Sequence, residues 1–129
     1  MSVESELSNC PSHLLVVDDD EDSRELVAES LRRLGYQVTE ARDGRDALVS
    51  IMRECPSLLI TDCSMPNMTG NELVATLAGD ERWCAIPTIV VSSMEQPALP
   101  QNAVFLAKPF TIQKLEAVIR DGLEASSHP

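Results

Sequence analysis

The sequence predicts an α/β domain, a three-layer sandwich in which one parallel sheet lies between two layers of helices. Three observations carry that prediction. Short, continuously apolar runs recur at Leu14-Leu15-Val16-Val17, Leu58-Leu59-Ile60, Thr88-Ile89-Val90-Val91 and Val104-Phe105-Leu106-Ala107, with a weaker one at Tyr36-Gln37-Val38. Unbroken apolarity is the pattern of strands covered on both faces, whereas a half-wet antiparallel sheet alternates. Between the runs the apolar spacing changes to that of helices, and strict alternation of strand and helix implies right-handed β-α-β units. The length, 129 residues, is that of one domain.

Residues 1–12 are polar and aperiodic and include Pro11, so they predict a flexible N-terminal arm, with the domain spanning 13–124 and a tail at 125–129. After the first apolar run, Asp22 can cap a helix whose third residue is Glu25. Leu26, Val27, Leu31 and Leu34 then share one face until Gly35 ends it. A second helix is predicted from Gly44 to Glu54, burying Ala47, Leu48, Ile51 and Met52, with Pro56 just past its end. Thr69 and Glu72 have capping-box spacing and start a third helix that buries Leu73, Val74 and Leu77. A helix after Thr111 turns Ile112, Leu115, Val118, Ile119 and Leu123 inward.

Composition excludes several functions. Lys plus Arg total 10 against 21 Asp plus Glu, a formal charge of −11, which leaves no basic surface for direct nucleic-acid binding. No apolar run approaches the roughly 20 residues of a membrane span, and the N-terminus has acids where a signal peptide needs a basic and then an apolar region. A soluble, cytoplasmic chain without membrane insertion is expected. Cys10, Cys55, Cys63 and Cys84 form no C-x-x-C pair, so neither a zinc site nor a disulfide framework is expected. No G-x-G-x-x-G follows the first strand, which argues against a dinucleotide.

In an open parallel sheet, ligands bind beyond the carboxyl ends of the strands. The first strand delivers Asp18 and Asp19 to that edge, the third Asp62, the fourth Ser92 and Ser93, and the fifth Lys108. Taken singly, each has an ordinary reading: an Asp after a strand is a turn former or helix cap, Ser92 a turn residue, Lys108 a surface lysine. Together, three carboxylates repel one another unless a cation offsets them, and an all-oxygen site with spare positions suits Mg²⁺. With its charge offset, one carboxylate becomes a good phosphoryl acceptor.

The stretches LLVVDDDED, LLITDCSMPNMTGNEL, IPTIVVSS and FLAKPF, in that order, resemble the receiver domains of two-component response regulators, the family of the chemotaxis response regulator. The resemblance covers about residues 13–123. It implies a flavodoxin-like sheet in strand order 2-1-3-4-5 and makes Asp62 the phosphoacceptor, taking a phosphoryl group from a phosphohistidine on a histidine kinase or histidine phosphotransfer protein. It further implies that Asp19 and Asp62 ligate Mg²⁺, Asp18 acts mainly through water, and the backbone carbonyl of Ser64 adds an oxygen. By the same resemblance Ser92 is the hydroxyl that moves to the phosphoryl group, Phe105 the switch aromatic, and Lys108 the residue that holds a phosphate oxygen or Asp62 itself, with a cis Lys108-Pro109 peptide. Ser64 and Met94 stand where the family tunes dephosphorylation, and Met94 has no group to orient water, so a long-lived phosphoryl state is expected.

One departure stands out. Segment 93–104, which includes Pro97 and Pro100, is near the minimum of about a dozen residues for a parallel crossover, so the family's fourth helix is expected to be rudimentary or missing. Only a tail is expected after the last helix, so output is expected through an unknown downstream protein or onward phosphotransfer, by a chain that is not expected to be an enzyme beyond its own phosphorylation and dephosphorylation. Two alternatives stand beside this. A receiver fold can serve as an interaction module without phosphorylation, although all the family's acids, hydroxyl and lysine are present. Asp18-Asp19-Asp20 also fits the D-x-D nucleophile of haloacid-dehalogenase-like phosphatases, with Asp18 attacking, although the residues that usually follow that motif are absent.

Overall fold

The computed structural model describes residues 12–63, 69–83, 85–93 and 103–127. Strands β1 (His13–Val17), β2 (Gln37–Ala41), β3 (Leu58–Asp62), β4 (Thr88–Ser92) and β5 (Ala103–Ala107) form one parallel sheet in the order β2-β1-β3-β4-β5. Among the described residues four helices cover it: α1 (Glu21–Arg33), α2 (Gly44–Arg53), α3 (Gly70–Ala78) and α4 (Ile112–Ser127). The predicted sandwich and strand order are therefore observed. The expectation of a rudimentary helix between β4 and β5 falls on residues 94–102, outside the described residues, as does the N-terminal arm up to Pro11.

Alternation along β1 sends side chains to two separate cores. Leu15 and Val17 join Ile51 of α2, Leu73 and Leu77 of α3, and Trp83 on one face of the sheet. Leu14 and Val16 join Leu31 of α1 and Leu115 and Ile119 of α4 on the other. The three central strands are almost wholly buried, as their apolar runs require, while β2 and β5 are edges and correspondingly more open.

Three local expectations are corrected. Asp20, not Asp22, caps α1: its backbone is extended (φ −83°, ψ 110°) and its carboxylate accepts from the Ser23 N–H at 3.1 Å. Leu26 and Leu34 are 70% and 46% exposed, because α1 rests on the sheet through Val27, Ala28 and Leu31. Leu34 lies past the last helical turn. Met52 is 64% exposed for a similar reason, since Ala47 and Ile51 define the buried line of α2. The capping box of α3 is present as predicted, Thr69 Oγ1 accepting from Glu72 N–H and Glu72 from Thr69 N–H. Helix α4 continues through Ser127, past the point where the sequence predicts a tail.

The register decides what meets at the carboxyl edge. Val17 pairs with Thr61, Asp62 with Val91, and Ser92 with Ala107, so the residues just after β1, at the end of β3, at the end of β4 and just after β5 lie side by side.

Candidate functional site

Asp18 follows the last residue of β1, its N–H bonded to the Ala41 carbonyl at 3.1 Å. Its Oδ1 accepts from the Asp20 N–H at 3.0 Å, closing a tight loop into α1. Asp62 ends β3, and Cys63 N–H donates to both Asp62 Oδ1 and the Val91 carbonyl, each at 3.0 Å. Carboxylate oxygens of Asp18, Asp19 and Asp62 lie within 4.8 Å of one another, with Asp19 exposed and the other two half-buried. The structure thus brings together the three acids that the sequence singled out.

Lys108 reaches the cluster from the far side. Its backbone N–H donates to the Ser92 carbonyl at 2.9 Å, extending the β4–β5 ladder, and its Nζ donates to Asp62 Oδ1 at 3.2 Å. The Lys108-Pro109 peptide is cis, as the sequence resemblance implies. Ser92 is buried at the end of β4 and Phe105 is half-buried on β5, directly paired with Val90. Ser64 and Met94 lie outside the described residues.

Burial pushes the Asp18 carboxyl above its ordinary range; the Asp20 N–H opposes this, Asp62 and Asp19 add to it, and Lys108 relieves part of it. Such crowding of like charge is what a hard cation relieves, and the donor set, carboxylates alone, is the chemistry Mg²⁺ takes. The residues present therefore fit a divalent ion. Beside the cluster lies a largely apolar cavity of about 490 Å³, lined by Leu26 and Val27 of α1, by Asp62, and by Lys108, Pro109 and Phe110.

Residues 14–120 match the response regulator receiver domain family. The chain belongs to this family. It is a receiver of two-component signal transduction, and the acids of its carboxyl-edge pocket are in place. Chemotaxis protein CheY1 of Helicobacter pylori is 36% identical over 118 residues, covering 82% of this receiver and 95% of CheY1. Hybrid signal transduction histidine kinase D of Dictyostelium discoideum is 34% identical over 110 residues, which take in 81% of this chain and 7% of the kinase, so the receiver spans a small part of that relative. Among solved structures, the signal receiver domain of a histidine kinase from Syntrophus aciditrophicus aligns with a TM-score of 0.84 at 26% identity, over 92% of this chain and 94% of that one. Chemotaxis protein CheY4 of Vibrio cholerae aligns at 0.81 and 28%, over 88% and 100%. Among the described residues, no helix of the receiver is long and apolar enough to cross a membrane.

Sequence reading passed over one pair at this edge. Arg24 Nη1 donates to the Asp18 carbonyl at 2.9 Å and its Nε to Glu40 Oε1 at 3.1 Å. The available signal was an arginine in the first turn of a helix, where the helix dipole disfavours a cation. Its partner stands on another strand, which the sequence does not show.

Proposed function

We propose that Asp62 is the phosphoacceptor of this receiver and that Asp18, Asp19 and Asp62 hold the Mg²⁺ it uses. The observation that carries this is the meeting at Asp62 of two other carboxylates and the ammonium of Lys108, brought together from β1, β3 and the end of β5. When bound, the cation supplies charge neutralisation for the acceptor and for the incoming phosphoryl oxygens. A carboxylate oxygen of Asp62 forms the new bond to phosphorus, the N–P bond of a phosphohistidine breaks, and its electron pair returns to the imidazole. The product is an acyl phosphate on Asp62. Lys108, already on Asp62 Oδ1, is placed to transfer its hydrogen bond to a phosphoryl oxygen.

The phosphodonor is a histidine kinase or histidine phosphotransfer protein, and output is a contact with a downstream protein or onward phosphotransfer. Ser92 and Phe105 form the switch: the hydroxyl moves toward the added oxygens, and the half-buried ring follows into the space it leaves. Phosphorylation adds charge at one edge of the sheet and shifts the population toward the arrangement that a partner binds. The receiver unit is residues 13–124, working in the cytoplasm.

The test is incubation with a small phosphodonor and Mg²⁺ followed by intact mass. One phosphoryl group is expected on the wild type and none on Asp62→Asn. Uptake that survives Asp62→Asn and disappears in Asp18→Asn would instead favour a phosphatase-like nucleophile at Asp18, and no uptake by the wild type would favour an interaction module.

A further inference from the structure

We infer that Arg24, braced by Glu40, is a positioning residue for the cation site: it fixes the peptide that joins Asp18 to Asp19 and thereby holds both carboxylates in the arrangement that binds Mg²⁺. The inference rests on the proposed cation site and adds to it the device that keeps it in shape.

Asp18 is tied at three points. Its N–H is held by the carbonyl of Ala41 on β2, its carboxylate by the Asp20 N–H, and its carbonyl by Arg24. The third comes from another residue's side chain and acts directly on the carbonyl of the peptide leading into Asp19. Arg24 is 14% exposed, a guanidinium that needs a buried partner, and Glu40 of β2 supplies it at 3.1 Å. Glu40 is in turn held by Arg32, whose Nη2 donates to Glu40 Oε2 at 3.2 Å and to the Val38 carbonyl at 2.9 Å. The planar fork of Arg24 therefore links a strand whose position the sheet determines to the loop that carries two carboxylates. Outer-shell contacts of this kind orient metal ligands, and removing one costs about 10- to 100-fold in metal affinity.

The sign of the effect separates positioning from simple charge. Arg24 is a cation beside a cation site, so by Coulomb's law alone Arg24→Ala should tighten Mg²⁺ binding. Positioning requires the opposite. Lysine keeps the charge but has no fork to reach both the Asp18 carbonyl and Glu40.

The experiment is calorimetric titration of the whole chain with Mg²⁺, with melting followed on the emission of Trp83, the single tryptophan. Arg24→Ala, Arg24→Lys and Glu40→Ala are each expected to weaken Mg²⁺ binding by about 10-fold. The Arg24→Ala, Glu40→Ala double variant should be no weaker than either single one, because all three lose the same link. Arg120→Ala, which removes the same charge from the Glu116 pair on α4, should leave Mg²⁺ affinity unchanged. If Arg24→Ala does not fold, Arg24→Lys and Glu40→Gln carry the comparison. A lower melting temperature with unchanged Mg²⁺ affinity, full recovery in Arg24→Lys, or additive losses in the double variant would overturn the inference, as would a wild type that binds no Mg²⁺. Because binding is read as heat, failure of Asp62 to take up a phosphoryl group would be seen separately, in the intact mass.

Discussion

Lys108 Nζ donates to Asp62 Oδ1 at 3.2 Å, joining the end of β5 to the end of β3 across 46 positions of sequence. Lys108 is 36% exposed and Asp62 13%, so this is a partly screened pair, and its contribution to folding is small, up to about 1 kcal/mol. Its consequence lies in charge: a cation occupies one side of a carboxylate that also faces Asp18 and Asp19.

Lys108→Ala is therefore expected to separate metal binding from phosphorylation. Without the ammonium the acid cluster is more negative, and Mg²⁺ should bind several-fold tighter. Phosphoryl uptake should fall by about 100-fold, the order lost when a donor to a developing charge is removed. Titration calorimetry and time-resolved intact mass on the same preparation check the two directions. Weaker Mg²⁺ binding together with slower uptake would mean that Lys108 acts by holding Asp62 in place.

Asp18→Asn should show a pH dependence of stability with a defined sign. The Asp18 carboxyl lies above its ordinary 3.8 in the fold, through burial first and neighbouring acids next. Between 3.8 and that raised value the folded state binds more protons than the unfolded one, so stability falls as pH rises through the window. Without Mg²⁺, Asp18→Asn should then melt above the wild type at about pH 7, with the gain fading as pH falls toward 3.8. The amide oxygen can still accept the Asp20 N–H, which keeps the loop comparable. Saturating Mg²⁺ should reverse the order, since the wild type alone keeps all three carboxylates. A variant that melts below the wild type in metal-free buffer at neutral pH would contradict the assigned strain.

The corrected face of α1 is testable by two leucines. Leu31 is fully buried against the sheet, and Leu31→Ala should cost about 3 kcal/mol; Leu26→Ala, at 70% exposure, should cost less than about 0.5 kcal/mol. Denaturant midpoints at constant slope measure both. Equal losses would restore the inward Leu26 that periodicity predicts. Leu26 also lines the cavity beside Asp62, so a slower transfer from a protein phosphodonor, with stability kept, is the readout to pair with it.

These leucines also show where sequence reading stops. Continuous apolar runs identified the strands because a strand buried on both faces has little freedom in composition, and the polar residues that end those runs marked the carboxyl edge. Asp18, Asp19, Asp62 and Lys108 were legible for that reason. Helical periodicity locates an apolar face without fixing which of its neighbouring members is buried, and it could not tell that Ala28 rather than Leu26 is the buried one. The Asp20 cap was hidden inside a run of five acids, four of them aspartates able to cap a helix. Arg24 and Glu40 were unreadable as a pair, because their contact depends on the β1–β2 register.

Gly122 offers a prediction about packing under the last helix. A Cβ added there would lie 2.8 Å from Leu58 Cδ1 and 3.7 Å from Pro87 Cβ, so α4 approaches the sheet over a bare glycine. Alanine in a helix interior is favoured over glycine by about 1 kcal/mol. Displacing a side chain from a packed core costs about 1–3 kcal/mol, and Leu58 is fully buried. The second effect should win, leaving Gly122→Ala less stable by about 1 kcal/mol. Leu58→Val removes the δ carbon that clashes, so the Gly122→Ala, Leu58→Val double variant should be more stable than the sum of the two single losses predicts. Thermal melts of the four chains close the cycle. Strict additivity would show that the helix shifts as a body and that Leu58 is not the contact that requires glycine.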